Sequence, residues 1–349
     1  MARRRRLWTA VRTRRLVQLV FLLLFCGVVL AARPQAEGEP SHLVEIFFHF
    51  DPLILIATWL SAHALYAGAL AAVVTIVLTA VLGRVFCGWI CPLGTIHAAA
   101  GRFLRWVWPP RKQADHWSRW QLTKYYLLIA FLVMAALGTH WVCVFDPLVL
   151  LYRTTTTALL PGFQWAVESG SKTIYDWDPG VGSIRLTTVT EPAYAFLRDH
   201  VFGVPKQAFL GSGLILGLFL VTLLANRFRP RFWCRYLCPL GALLGVFAWR
   251  PLLRRVVRGD ECNSCGLCGM GCHGAAAASD AGGRISKPSS HADSAGPVAS
   301  STGETSRGAG KWIASECFGC LNCTDACRRD ALSFNWSVPG NQQRAPVES

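Results

Sequence analysis

Four clusters of cysteine constrain this chain more than any other feature. Of its 14 cysteines, all but Cys26 and Cys143 fall in short runs. ECNSCGLCGMGC carries Cys262, Cys265, Cys268 and Cys272, and ECFGCLNCTDAC carries Cys317, Cys320, Cys323 and Cys327. Both runs have the spacing C-x2-C-x2-C-x3-C. Three thiolates so close together wrap one face of an iron–sulfur cube, and the fourth ligates the other cube of a two-cluster ferredoxin. That rule assigns Cys262, Cys265, Cys268 and Cys327 to one [4Fe-4S] cluster, and Cys317, Cys320, Cys323 and Cys272 to a second. Zinc needs cysteine pairs separated by a longer loop, and these triplets are too dense for it. The small residues Gly266, Gly269, Gly271 and Gly319 let backbone amides approach the sulfurs. The motif normally closes on proline after its last cysteine; here His273 and Arg328 stand there. Both changes leave every ligand in place and bear on cluster packing and potential.

The other two runs are incomplete. RVFCGWICPLGT (84–95) carries Cys87 and Cys91, and RFWCRYLCPLGA (231–242) carries Cys234 and Cys238. Each is a Cys-x-x-x-Cys-Pro tail without the preceding triplet. Brought together, the four thiols fit three roles: a further iron–sulfur centre, thiols for redox exchange or transient metal handling, or structural cysteines in a shaped turn. Cys26 and Cys143 lie alone in apolar runs and read as small buried side chains. So many thiols without a disulfide pattern suit a reducing compartment.

Charge and hydropathy point to a membrane. Charged residues are 16% of the chain, against about 25% in a soluble domain, and mean hydropathy is +0.34. Spanning a bilayer takes about 20 apolar residues in a helix. Four stretches approach that: 16–32, 53–82, 125–145 and 207–225. The first also has the form of a signal peptide. Residues 1–16 hold seven arginines, 84–124 hold seven Lys/Arg against one acid, and 227–258 hold eight arginines and no acid. Residues 33–52 carry four acids against one arginine, and 144–207 carry six acids against five Lys/Arg. Basic flanks stay in the cytoplasm, so the basic segments and the C-terminal cysteines are expected inside and the acidic segments outside. The topology accounts for the net charge of +15. Nucleic acid is excluded as a partner, since no binding module accompanies the charge.

The apolar part repeats. Phe-Asp-Pro-Leu occurs at 50–53 and 145–148, each time followed by an apolar stretch and then by Cys-x-x-x-Cys-Pro-Leu-Gly. Asp before Pro suits a helix N-cap with Pro in the first turn; the alternative is an outer-face quinone or partner site beside His49. The lone histidines His63 and His140 have no paired partner for a haem. The second copy carries an insertion near 155–205, read as a small outward loop. The expected fold class is therefore an α-helical membrane bundle of four transmembrane helices in two parallel repeats, with a small α+β ferredoxin-like domain. The domains expected are 1–255 for the bundle, 256–335 for the two-cluster domain with a disordered Ala/Ser/Gly-rich insertion at about 275–310, and 336–349 for a polar tail.

This arrangement resembles the NapH-type ferredoxin-like membrane proteins of periplasmic nitrate reductase systems, and the membrane part of NosR-type proteins, across roughly residues 16–335. The resemblance implies an inner-membrane electron carrier linking the quinone pool or a cytoplasmic donor to a partner reductase, within a complex. It implies two [4Fe-4S] clusters, and leaves room for a third iron–sulfur centre and a bound quinone. The flavin-bearing outer domain of NosR-type proteins has no room in 144–207. The chain shows no nucleophile, acid–base pair or phosphate loop, so it is expected to be a carrier rather than an enzyme. Two other classes remain open at this point: a maturation factor that uses clusters and thiols to supply a respiratory metalloenzyme, and a redox sensor, for which the chain shows no output domain.

Overall fold

The structure, a computed structural model, describes residues 2–31, 42–63, 68–109, 117–139, 141–177, 180–181, 184–185, 191–192, 194–198, 202, 211–258, 261–262, 265–276 and 312–336. His140, most of the 275–310 insertion and nearly all of the tail lie outside these residues.

The expected bundle of four membrane-crossing helices is not what the chain forms. Among the described residues one helix is long and apolar enough to cross a bilayer, at Ala10–Ala31. The other apolar stretches are divided by local backbone chemistry into pieces well short of about 20 residues. The 53–82 stretch gives Pro52–Ala62, 11 residues, and Ala69–Leu82, 14 residues. His63 ends the first of these in the left-handed region, at φ 52°. The 125–145 stretch gives Thr123–Ala136 and Val142–Phe145. Gly138, at φ 83°, breaks it, and its N–H and that of Thr139 turn back to Ala135 O and Met134 O. The fourth stretch gives Ser212–Leu224, 13 residues, behind Gly211 at φ 92°. The paired-repeat arrangement of spans along one membrane normal falls with the span count. Hydropathy windows missed these breaks because the residues that make them are few and uncharged.

Apolar outer faces remain. Leu16, Leu19, Val20 and Leu23 on the long helix, and Leu70, Val73, Val74 and Val77 on Ala69–Leu82, point outward. Inside, Leu53, Leu93, Leu128, Leu148, Leu151, Trp233, Leu240 and Leu244 belong to one packed core that also takes in Cys87, Cys91, Cys234, Cys238, Phe318 and Cys320. The helix Pro239–Phe247 runs through its middle, with Pro239–Gly245 wholly buried.

The insertion after the second Phe-Asp-Pro-Leu opens as helix rather than loop. Four consecutive threonines, Thr154–Thr157, each return their hydroxyl to the carbonyl four residues back. Such back-bonding loosens the helix ladder, and one turn of π-helix, Thr155–Leu159, follows before the helix Leu160–Trp177.

The C-terminal cysteine runs hang on a two-stranded antiparallel sheet. Leu253–Val257 pairs with Leu332–Trp336, with Leu253 opposite Trp336 and Val257 opposite Leu332. The sheet brings the two ends of this head together, and the short helices Leu267–Met270 and Asn322–Ala326 pack on one another.

Candidate iron–sulfur sites

Cys272, Cys317, Cys320 and Cys323 line one cavity together with Cys268, Trp312, Phe318 and Phe334. Four of these cysteines are those expected for the second cube, and Cys268 belongs to the expected first. Burial pushes the Cys317 thiol up to about 12, and the nearby Cys272 and Cys320 add to the rise. Cys323 is raised by burial and by Cys320, Cys317 and Cys272. Buried thiols such as Cys317 and Cys323 ionise poorly unaided; iron is what would hold them as thiolates. The donor set and the cavity therefore fit a cluster. In the first run, burial raises the Cys268 thiol, Arg255 opposes the rise, and Cys262 and Cys265 add to it. Cys327 follows directly on Asn322–Ala326, the helix packed against that of Cys268. His273, in the place of the usual proline, faces the amide of Asn322 at 3.1 Å and is half-buried.

The two incomplete motifs share a backbone solution. In the first, Cys91 N–H bonds to Phe86 O at 2.9 Å; in the second, Cys238 N–H bonds to Trp233 O at 3.0 Å. Each bond spans five residues, a π-type turn, and holds both cysteines of a pair in one turn. The second cysteine is then the N-cap of a helix whose first residue is Pro92 or Pro239. The glycine of Pro-Leu-Gly is needed for close packing. A Cβ on Gly94 would lie 2.8 Å from Cys87 O, and one on Gly241 would lie 2.6 Å from Arg84 Nη2 and 3.4 Å from Cys238 Sγ.

All four of these thiols are at most 6% exposed, and they act on one another. Burial raises Cys91 and Cys238, and Cys234 and Cys87 raise both further. Cys234 is pushed up to about 11 by burial, with Arg231 opposing. Thiol exchange requires access, and this arrangement does not provide it. Among the described residues no three Cys, His or carboxylate side chains close tightly enough to hold a single metal ion. A cube asks for a wider cage, because each thiolate holds a separate iron. The fit is carried by orphaned donors. Arg84 and Arg231 are 0% and 1% exposed, and on each of them Nε and Nη2 are buried without a partner. Buried donors of this kind are nearly always satisfied, and an anionic sulfur centre among the four thiols is what they suit.

The head and the helical module meet at this point. Phe318, between Cys317 and Cys320, lies under both guanidinium groups, at 4.8 Å from Arg84 Cζ and 5.2 Å from Arg231 Cζ. Arg231 Nη1 donates to Cys87 O at 2.9 Å. Trp89 Nε1 donates to Gly319 O at 3.0 Å. Arg84 Nη1 donates to Ser315 O at 3.0 Å and to Glu316 Oε2 at 3.3 Å. Lys124 Nζ donates to the same Glu316 oxygen, and Tyr125 Oη lies 3.4 Å from the other. Burial and the charge of Arg84 lower Lys124 to about 8, with Glu316 opposing. The long apolar helix joins in: Arg14 Nη1 donates to Cys320 O and Asn322 Oδ1, and Gln18 Nε2 donates to Gly88 O.

Residues 64–111 and 208–258 each match the 4Fe-4S binding domain family, so the matched segments hold the two Cys-x-x-x-Cys-Pro motifs. The ferredoxin-type protein NapH of Escherichia coli is 27% identical over 82% of this chain and 75% of its own length. The methylamine utilization ferredoxin-type protein MauN of Paracoccus denitrificans is 26% identical over 74% of each. The chain is similar to NapH-type and MauN-type ferredoxin proteins over most of its length. An uncharacterised protein of Methanocaldococcus jannaschii is 23% identical over 76% of the chain and 77% of its own length. No solved structure matches. The two matched segments and these relatives mark the chain as an iron–sulfur, ferredoxin-type protein of electron transport. Its likeness to NapH and MauN, its apolar outer faces and the helix Ala10–Ala31 associate it with a membrane.

Sequence reasoning missed the residues that join the two parts of this chain. Arg84 and Arg231 each stand three residues before the first cysteine of their motif, so superposing the two copies exposes them. Glu316 and Phe318 carry no such signal. His97, buried on the helix Pro92–Val107, was also missed. Its Nδ1 lies 2.8 Å from Asn226 Nδ2, and burial lowers its pKa to about 4, so the ring is neutral.

The Phe-Asp-Pro-Leu aspartates do cap helices. Asp51 Oδ1 accepts from Leu53 N at 2.8 Å, and Asp146 Oδ1 accepts from Leu148 N at 2.9 Å. Neither is exposed at all, so they do not form a site on an outer face. Instead the two buried carboxyls act on one another, and each Oδ2 is buried without a hydrogen-bond partner. Like charges so placed favour a proton on one of the two. Burial, then Asp146, raises Asp51 well above the usual carboxylate range. A raised folded-state pKa gives stability that is full below the unfolded value, about 3.9, and is lost as pH rises through the folded value. Asp51→Asn keeps the side-chain shape and the helix-capping oxygen without titrating. Unfolding midpoints measured from about pH 4 to about pH 7 should fall more steeply with rising pH in the wild type than in Asp51→Asn. Equal slopes would exclude a proton on the pair. Cys143 and Cys91 are the other titratable groups coupled to the pair.

Proposed function

We propose that the chain is a membrane-anchored carrier that passes single electrons between the quinone pool or a cytoplasmic donor and a partner reductase. Two cubes in the head, on Cys262, Cys265, Cys268 and Cys327 and on Cys317, Cys320, Cys323 and Cys272, exchange electrons with a third centre on Cys87, Cys91, Cys234 and Cys238. The observation that carries this reading is the seat of Phe318. It belongs to the second cysteine run and lies against Arg84 and Arg231, each three residues ahead of a Cys-x-x-x-Cys-Pro pair. The head's second site therefore packs into the same core as the four buried thiols. Clusters supply one-electron chemistry; the protein supplies burial, charge and contact.

The same contacts support an orientation. Arg14, in the arginine-rich start of the long helix, bonds to the head at Cys320 O. Basic flanks stay in the cytoplasm, so the head lies on the cytoplasmic side with them. The same contacts support two domains: a helical module to about residue 255, then a two-cluster head to 335. The partner is a redox protein or quinone.

Iron and acid-labile sulfide per chain, with spin-quantified EPR, test the reading. Three cubes predict about twelve irons in anaerobically purified protein. Cys234→Ser should lower that to about eight and remove one signal. About eight irons in the wild type would remove the third centre. Clusters that neither quinol nor a cytoplasmic reductant reduces in isolated membranes would remove the proposed role.

A further inference from the structure

We infer that Arg84 and Arg231 act as a paired guanidinium clamp on the four-thiol centre, donating their unpartnered N–H groups to its sulfurs and holding its reduction potential up. The inference rests on the reading that Cys87, Cys91, Cys234 and Cys238 hold an iron–sulfur centre.

The two arginines are counterparts in the repeat, and each reaches across to the other copy. Arg231, from the second copy, donates through Nη1 to Cys87 O in the first. Arg84, from the first copy, lays Nη2 against Gly241 in the second, where Cys238 Sγ flanks the same spot. Each arginine thus has Nη1 engaged and Nε and Nη2 buried without a partner. A buried guanidinium with unmade hydrogen bonds costs stability. Two of them, placed symmetrically beside four thiols, are explained together by one anionic acceptor between them.

The charge balance agrees. Of the two, Arg84 has a carboxylate within ion-pair distance, Glu316, and that carboxylate is shared with Lys124. The group around the thiols therefore carries excess positive charge in a region closed to water. Reduction adds an electron to the centre, and buried positive charge favours the more negative form. Lysine cannot replace arginine here without loss, because an ammonium lacks the planar fork that serves a carbonyl and a sulfur at once.

The test is an EPR-monitored potentiometric titration of the full-length protein, with iron counted on the same samples. Arg231→Gln should make the four-thiol centre about tenfold harder to reduce, about 59 mV lower for a one-electron couple. Iron per chain should be unchanged, and the head cluster on Cys262, Cys265 and Cys268 should move little. Arg231→Lys, which keeps the charge, should fall between the two. An unmoved midpoint in both variants, with iron unchanged, would overturn the clamp and leave the centre standing. A wild-type protein with only about eight irons would overturn the centre, and the clamp with it; the iron count tells the two failures apart. Should Arg231→Gln lose the centre altogether, Arg231→Lys and Arg84→Lys carry the comparison: a lowered midpoint supports the clamp, and wild-type midpoints in both overturn it.

Discussion

Glu316→Ala will destabilise the docked head by about 3–5 kcal/mol, the cost of breaking a buried ion pair from one side. Glu316 is 2% exposed, and both cations it serves, Arg84 and Lys124, are wholly buried. The substitution leaves two cations without a carboxylate. It also removes the acceptor facing Tyr125. Glu316→Gln keeps an acceptor and should cost less. Adding Lys124→Met to Glu316→Ala should recover part of the loss, since one of the two stranded cations is then gone. Thermal unfolding in detergent, with limited proteolysis of the head as a second probe, reads all three. If Glu316→Ala unfolds at the wild-type temperature, Glu316 is not the latch between head and helices.

The cysteine grouping read from the sequence rests on ligand spacing, which is a local property. C-x2-C-x2-C-x3-C states its own geometry, and the structure places Cys268, Cys272, Cys317, Cys320 and Cys323 around one cavity. Pro after Cys91 and Cys238 likewise announces a helix start, as Asp51-Pro52 and Asp146-Pro147 do. The bundle was not legible. Whether an apolar stretch runs on or breaks is decided by a single residue such as His63 or Gly138, both at positive φ. Hydropathy averages over them. The junction was hidden for a different reason. Arg84, Lys124 and Arg235 counted in the sequence as basic flanks, yet all three are 0% exposed. A charge tally cannot separate an arginine facing lipid headgroups from one turned inward against Phe318. Glu316 is the fitting counterpart: an ordinary acid beside a cysteine run until the fold sets it between Arg84 and Lys124.

Gly88→Ala will force the head away from the first Cys-x-x-x-Cys turn. A Cβ there would lie 2.1 Å from the carbonyl oxygen of Phe318 and 3.2 Å from its carbonyl carbon. Both neighbours are backbone, so no rotamer relieves the contact. Overpacking of this kind costs about 1–3 kcal/mol, but its larger effect is on contact. The same movement stretches the bond from Trp89 to Gly319 and draws Phe318 off Arg84 and Arg231. Every thiol is left in place, so iron per chain should stay at the wild-type value. Amide exchange across 314–320 should rise, and electron exchange between the head and the four-thiol centre should slow by more than tenfold. Gly217→Ala is the control, because its Cβ meets nothing within 4 Å on the helix Ser212–Leu224. Removing a helical glycine there should be neutral or stabilising by up to about 1 kcal/mol. If Gly88→Ala and Gly217→Ala behave alike in exchange and in electron transfer, electrons do not cross where Gly88 meets Phe318, and the route between head and helices lies elsewhere.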